Sequence, residues 1–125
     1  MTQTPEQKND RFFRMLGLAR RAGKLAIGTP LTLDALHRRR AFLLLVSEGA
    51  SASTRKKMET QSAYYHVPLF ALNISPEELA RLLGKQAPVV SVAVTDEHFA
   101  TELTKSSGKE ASEMRTARAD SEHGV

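Results

Sequence analysis

The chain has 125 residues, 41% of them hydrophobic, no cysteine, a net charge of +4 at pH 7 and a pI near 9.7. That length suits one domain with a real core. The missing cysteine excludes disulfides and thiolate metal sites, and no apolar run approaches the ~20 residues that a membrane helix needs. The first residues, MTQTPEQKND, are polar and unlike a signal peptide, so a soluble cytoplasmic protein is expected. Charge is unevenly placed: residues 1–64 hold 12 Lys and Arg against 5 Asp and Glu, and residues 65–125 hold 6 against 9. A basic half beside a mildly acidic one suits a face for a polyanion.

Residues 1–10 are expected to form a flexible N-terminus, with a helical pattern running from Gln7 to Ala22. Phe12, Leu16 and Ala19 recur at helical spacing and Phe13 and Leu18 widen the stripe. Gly23 is a natural helix stop. Lys24 to Ile27 reads as a short strand. Gly28-Thr29-Pro30 then restarts a helix, with Thr29 as a possible cap and Pro30 at the first helical position. Arg38, Arg39 and Arg40 close that helix, where cations suit its dipole. Phe42 to Ser47 is a continuous apolar run, the mark of a buried central strand. A third helix is predicted from about Thr54 to Tyr65, and a strand from Val67 to Leu72. Ser75, Pro76 and Glu78 mark a capped helix that Gly84 stops. A fourth strand follows from Val89 to Val94, then a helix capped by Thr95 or Asp96. Residues 105–125 contain no Leu, Ile, Phe, Trp or Tyr and are expected to be a disordered tail.

Helices alternating with strands predict an α/β fold. The architecture expected is a single-domain, three-layer α-β-α sandwich over residues 11–104 with a mixed sheet of about four strands. The corner at Gly28 has the layout of a phosphate-binding turn, where a glycine precedes a helix N-terminus.

The segments LGLARRAGKLAIG, LLLVSEGASASTRKKM, YYHVPLF, ELARLLGK and SVAVTDEHFA resemble the bacterial YlxQ-like proteins, which are similar to the archaeal and eukaryotic ribosomal proteins that bind kink-turn RNA. The resemblance covers about Arg11 to Leu103. It implies an α-β-α sandwich and binding of structured RNA, ribosomal or ribosome-associated, by a monomer. In that family the first strand-helix corner grips the RNA kink. The family's glycine matches Gly28, but its amide or amine reader falls on Pro30, its acidic or amide reader on Leu31 and its lysine on Asp34. Proline and leucine side chains offer no donors or acceptors to base edges. The resemblance thus implies recognition by shape and charge. The hydrophobic loop that packs beside the kink corresponds to about Gln86–Val89, shortened.

The RNA-binding candidates are Arg20, Arg21 and Lys24 before the corner, Gly28 and Thr29 in it, Arg38 and Arg39 after it, and Arg55, Lys56 and Lys57 early in the third helix. Arg40 belongs to the same basic run, and Ser51, Ser53 and Thr54 could add hydroxyls at the third helix's start. A solvated helix end is the competing reading for each cation. Tyr64, Tyr65 and His66 could stack on a base, but core packing of one tyrosine and a helix end for the others is the preferred reading. Asp96, Glu97 and His98 diverge around a helix and cannot converge on a metal. No metal-ligand spacing, nucleophile elbow, phosphate-cradling P-loop or paired-carboxylate motif appears, so no cofactor and no enzyme are expected. The alternative function is a protein-interaction module on the same fold.

Overall fold

The computed structural model describes residues 4–108 and 111–114. Helix α1 spans Thr4–Arg21, strand β1 Leu25–Ile27, helix α2 Thr29–His37 and strand β2 Leu43–Ser47. Helix α3 spans Ala52–Tyr65, strand β3 Leu69–Leu72 and helix α4 Pro76–Leu82. Strand β4 (Ser91–Val94), helix α5 (Glu97–Ser106) and strand β5 (Ala111–Glu113) complete the order.

The strands form one mixed sheet in the order β1-β4-β2-β3-β5. Only β2 and β3 pair in parallel, joined by α3 as their crossover; the other neighbours are antiparallel. The continuous apolar runs at β2 and β4 are central strands, every residue buried. Alternation along each strand sorts side chains onto two faces. Leu43, Leu45, Phe70, Val92 and Val94 meet α1, α4 and α5 through Phe12, Leu16, Leu79, Leu83 and Leu103. Leu44, Val46, Leu69 and Ala93 meet α2 and α3 through Leu36 and Met58. The expected three-layer sandwich is therefore the observed one, and the small Ala93 lets α2 lie close over the centre of the sheet.

Helix ends follow local chemistry. Ser51, Ser75 and Asp96 cap α3, α4 and α5 by accepting from the backbone N–H of Thr54, Glu78 and Phe99. Four helices end in the same turn, in which the residue after the helix takes a left-handed conformation. Two of those residues are Gly23 and Gly84, and the other two are Arg39 (φ 59°) and His66 (φ 60°).

Three expectations need correction. Helix α1 starts at Thr4, inside the segment expected to be flexible. Thr29 does not cap α2: Gly28 holds that position, and no side chain caps the helix. The tail expected over 105–125 is ordered in part. Helix α5 runs to Ser106, and β5 adds a fifth strand against β3, with Ala111 buried and the Met114 N–H donating to the Leu69 carbonyl at 2.8 Å. Composition weighs the side chains of a segment, whereas an open sheet edge is satisfied by backbone, which small residues supply as well as large ones. Residues 109–110 and 115–125 of that tail lie outside the described residues.

The pairing registers give the sheet two ends. Ile27, Ser47, Leu72 and Ser91 lie at one, the corner end, and Leu25, Leu43, Leu69 and Val94 lie at the far end. Helices α2 and α3 both start at the corner end and finish at the far end.

Candidate functional site

Gly28 sits at φ 98° and ψ 151°, a conformation that only glycine adopts without strain. Its N–H donates to the Ser91 carbonyl at 2.9 Å and its carbonyl accepts from the Thr32 N–H at 2.8 Å. A Cβ placed on Gly28 would meet nothing within 4 Å, so the outer side of this backbone is open to a partner. Thr29 turns its hydroxyl inward to the Ser91 hydroxyl at 2.8 Å. With no side-chain cap and no N–H on Pro30, the Thr29 and Leu31 amides are the donors left at the tip of α2.

The start of α3 lies at the same end. Ser47, the last residue of β2, donates its hydroxyl to the Val89 and Val90 carbonyls, each at 3.2 Å, and so straps the segment before β4 beside the corner. Gly49 at φ 93° turns the chain into α3. Neither α2 nor α3 has an acidic residue in its first turn. In contrast, α4, which also starts here, carries Glu77 and Glu78. The dipole and amides at the starts of α2 and α3 thus favour an anion, with no carboxylate in either first turn, although Glu48 lies exposed in the turn before α3. Lys56 and Lys57 are exposed on the second turn of α3 and Arg55 is half-buried beside them.

The candidates do not form one patch. Gly28, Thr29, Arg55, Lys56 and Lys57 share the corner end. Lys24 does not: four residues of extended chain hold it about 13 Å from Gly28. Its Nζ lies 4.0 Å from Asp96 Oδ2, and its carbonyl accepts from the Thr95 N–H. Arg38 and Arg39 are also at the far end, with Arg40. The Arg38 Nε donates to both Asp34 carboxylate oxygens at 3.0 Å, and the Arg39 guanidinium lies 5.1 Å from the centre of the Tyr65 ring. Arg21 is exposed at the end of α1, which finishes at the far end. Arg20 is turned to the end of α4, where its Nη2 would fall 2.8 Å from a Cβ on Gly84.

A groove of about 570 Å³ opens at the far end and runs along α2 as far as Leu31. It follows the outer side of α2 against the β1 edge, from Leu31 past Asp34 to Arg38, Arg40 and Phe42. Leu31 is 57% exposed, so the position corresponding to a base reader offers an apolar surface. Between Gln86 and Pro88 the shortened loop is exposed, while Val89 is buried and bonded to the Pro76 carbonyl.

Ser47 and Ser91 are the residues that sequence reading passed over. Both are fully buried and hold the corner together. Their signal is a lone hydroxyl inside an apolar strand, FLLLVS in one case and VVSVAV in the other, where a buried polar group needs a partner.

Comparison with known proteins agrees with this architecture. The model of the ribosomal protein L7Ae/L30e/S12e/Gadd45 family matches residues 10–104. An RNA-binding protein YlxQ from Bacillus subtilis (strain 168) is 44% identical over 92 residues, covering 74% of this chain and 90% of the relative. An RNA-binding protein YlxQ from Enterococcus faecium is 36% identical over 87 residues, covering 70% and 84%. A solved structure, described as a protein with unknown function from Bacillus halodurans C, aligns with a TM-score of 0.72 at 27% identity, covering 77% of this chain and 95% of that one.

Proposed function

Because this chain belongs to the ribosomal protein L7Ae/L30e/S12e/Gadd45 family, we propose that it binds structured RNA at the corner end of its sheet. One observation carries the reading. Two helix N-termini whose first turns carry no acidic side chain flank an open glycine, and three cations follow on α3. Two relatives known as RNA-binding proteins support it. The amides of Thr29 and Leu31 face a phosphate, the Gly28 backbone admits close approach, and Arg55, Lys56 and Lys57 supply charge. Pro30 and Leu31 read no base edge, and Asp34 is held by Arg38. Recognition is therefore of RNA shape, with ribosomal RNA the class suggested by the family description. The protein works as a monomeric binding module in the cytoplasm, not as an enzyme.

The test is a fluorescence titration of a labelled kink-turn RNA against the matched duplex without the kink, at low and moderate salt. Tighter binding to the kinked RNA supports shape recognition. Equal binding to both, falling with a log–log salt slope near −0.7 to −0.9 per phosphate contact, leaves a charge-driven RNA binder. Binding to neither overturns the reading in favour of a protein-interaction module. The double charge reversal Lys56→Glu with Lys57→Glu is expected to weaken binding more than Lys24→Glu with Arg21→Glu, because only the first pair lies at the corner end.

A further inference from the structure

The far end of the sheet carries a cluster that the corner does not use. Tyr64 is 70% exposed, an unusual position for a large ring. Its ring meets that of Tyr65 edge-on at 4.9 Å between centroids. Tyr65 is in turn covered by the Arg39 guanidinium and flanked by His37 at 5.7 Å. His37 is fixed from the other side by Gln61 at 3.1 Å. The tyrosine pair is therefore held by its neighbours while Tyr64 keeps its outer surface in water.

The backbone beneath is strained at this place. Among the described residues, the only two non-glycine residues with positive φ are Arg39 and His66, and both border this cluster. Gly23 and Gly84 fill the same helix-stop position elsewhere in the chain. A glycine at residue 39 would fit the turn better but would carry no guanidinium to lay over Tyr65. Strain of this kind persists where the surroundings hold it in place. Arg39 also lines the groove along α2, with Arg38 and Arg40 on its rim and Phe42, 42% exposed, in its wall. Two nearby carboxylates are engaged, Asp34 by Arg38 and Asp96 by the Phe99 N–H and Lys24, while Glu97 lies on the α5 side of Phe42 with Lys105.

We infer that this end is a second nucleic-acid site, for two or three unpaired nucleotides of single-stranded RNA. One base stacks on the outer surface of Tyr64, another is taken by Phe42, and the intervening phosphates pass over Arg39 and Arg40. Exposed aromatic rings interleaved with arginines suit this ligand, because every base has a π-face and every linkage a charge. An acidic peptide would match the arginines and Phe42 but gives no reason for the exposed, held surface of Tyr64. The inference extends the proposed RNA binding to a separate surface, and the two can fail separately.

The sequence supplies its own reporter. Tyr64 and Tyr65 are its two tyrosines, and it contains no tryptophan. Intrinsic emission thus comes from this cluster alone. The experiment titrates the full-length protein with a single-stranded oligoadenylate hexamer. Tyrosine emission, corrected for absorption by the bases, is followed together with the anisotropy of an end label. Saturable quenching that tracks the anisotropy is expected. Tyr64→Ala should weaken binding by about 5- to 150-fold, the effect of losing one base–aromatic stack, and Tyr64→Phe should restore it. Arg39→Gly should also weaken binding, with a Tm at or above that of the parent, so a folding defect cannot explain the loss. Absent quenching, or Tyr64→Ala binding the hexamer as well as the parent, overturns the site. So does capture of an acidic Phe-containing peptide in place of the hexamer. Lys56→Glu with Lys57→Glu is expected to weaken kink-turn RNA and spare the hexamer. Hexamer binding without any binding of structured RNA would sink the proposed function and leave this inference standing.

Discussion

Single residues at two turns set how this molecule responds to substitution. Gly28 holds a backbone conformation closed to other residues, yet space for a side chain exists there. Gly28→Ala therefore tests conformation, not crowding. A loss of about 1–3 kcal/mol is expected, read as a lower midpoint in urea, together with weaker RNA binding as the tip of α2 shifts. Arg39 is the opposite case. Relief of its left-handed conformation is worth about 1–2 kcal/mol, and loss of the Tyr65 contact takes back about 0.5–1 kcal/mol. Arg39→Gly should thus be neutral or stabilising by up to about 1.5 kcal/mol in thermal unfolding. A clear drop in Tm would mean that the guanidinium matters more to the fold than to any ligand.

The start of α3 separates stability from binding among the elements. Ser51 accepts the Thr54 N–H at 3.2 Å. Ser51→Ala should cost about 1 kcal/mol by leaving that amide without its cap. Ser51→Asp keeps a capping oxygen and suits the dipole, so stability should hold. Its carboxylate would nonetheless face the phosphate, and RNA affinity should fall. Equal RNA binding by Ser51→Asp and the parent protein would remove α3 from the interface. Elements were also the most legible level of the sequence. Runs such as FLLLVS and the capping triplet Ser75, Pro76, Glu78 reveal strands and helix starts, because their signals are local. The site was less legible. Lys24 and Gly28 are neighbours in the chain, but the intervening strand is extended and carries them to opposite ends of the sheet. The Thr29–Ser91 bond spans 62 positions, and no local pattern announces it. Strand β5 was hidden for a different reason, since backbone pairing to an edge leaves little trace in side-chain composition.

The sheet order governs the molecule as a whole. Strand β5 covers the outer edge of β3, and its Ala111 joins the core. A chain ending at Gly108 should lose roughly 1–2 kcal/mol from Ala111 and its neighbours and should self-associate through the bared edge. Urea unfolding and sedimentation would measure the two effects, and a monomer of parental stability would show that β5 is dispensable. The order has one more consequence, in time. Strand β4 lies between β1 and β2, so β1 has no neighbour to pair with until residues 91–94 have been made. Parallel β2 and β3 can join early, closed by α3, but Gly28 waits for Ser91. A growing or broken chain can be largely helical and still lack its corner. The proposed binding end is thus complete only in molecules whose synthesis has passed the fourth strand, and chains that stop short of Ser91 should bind structured RNA less well at the corner.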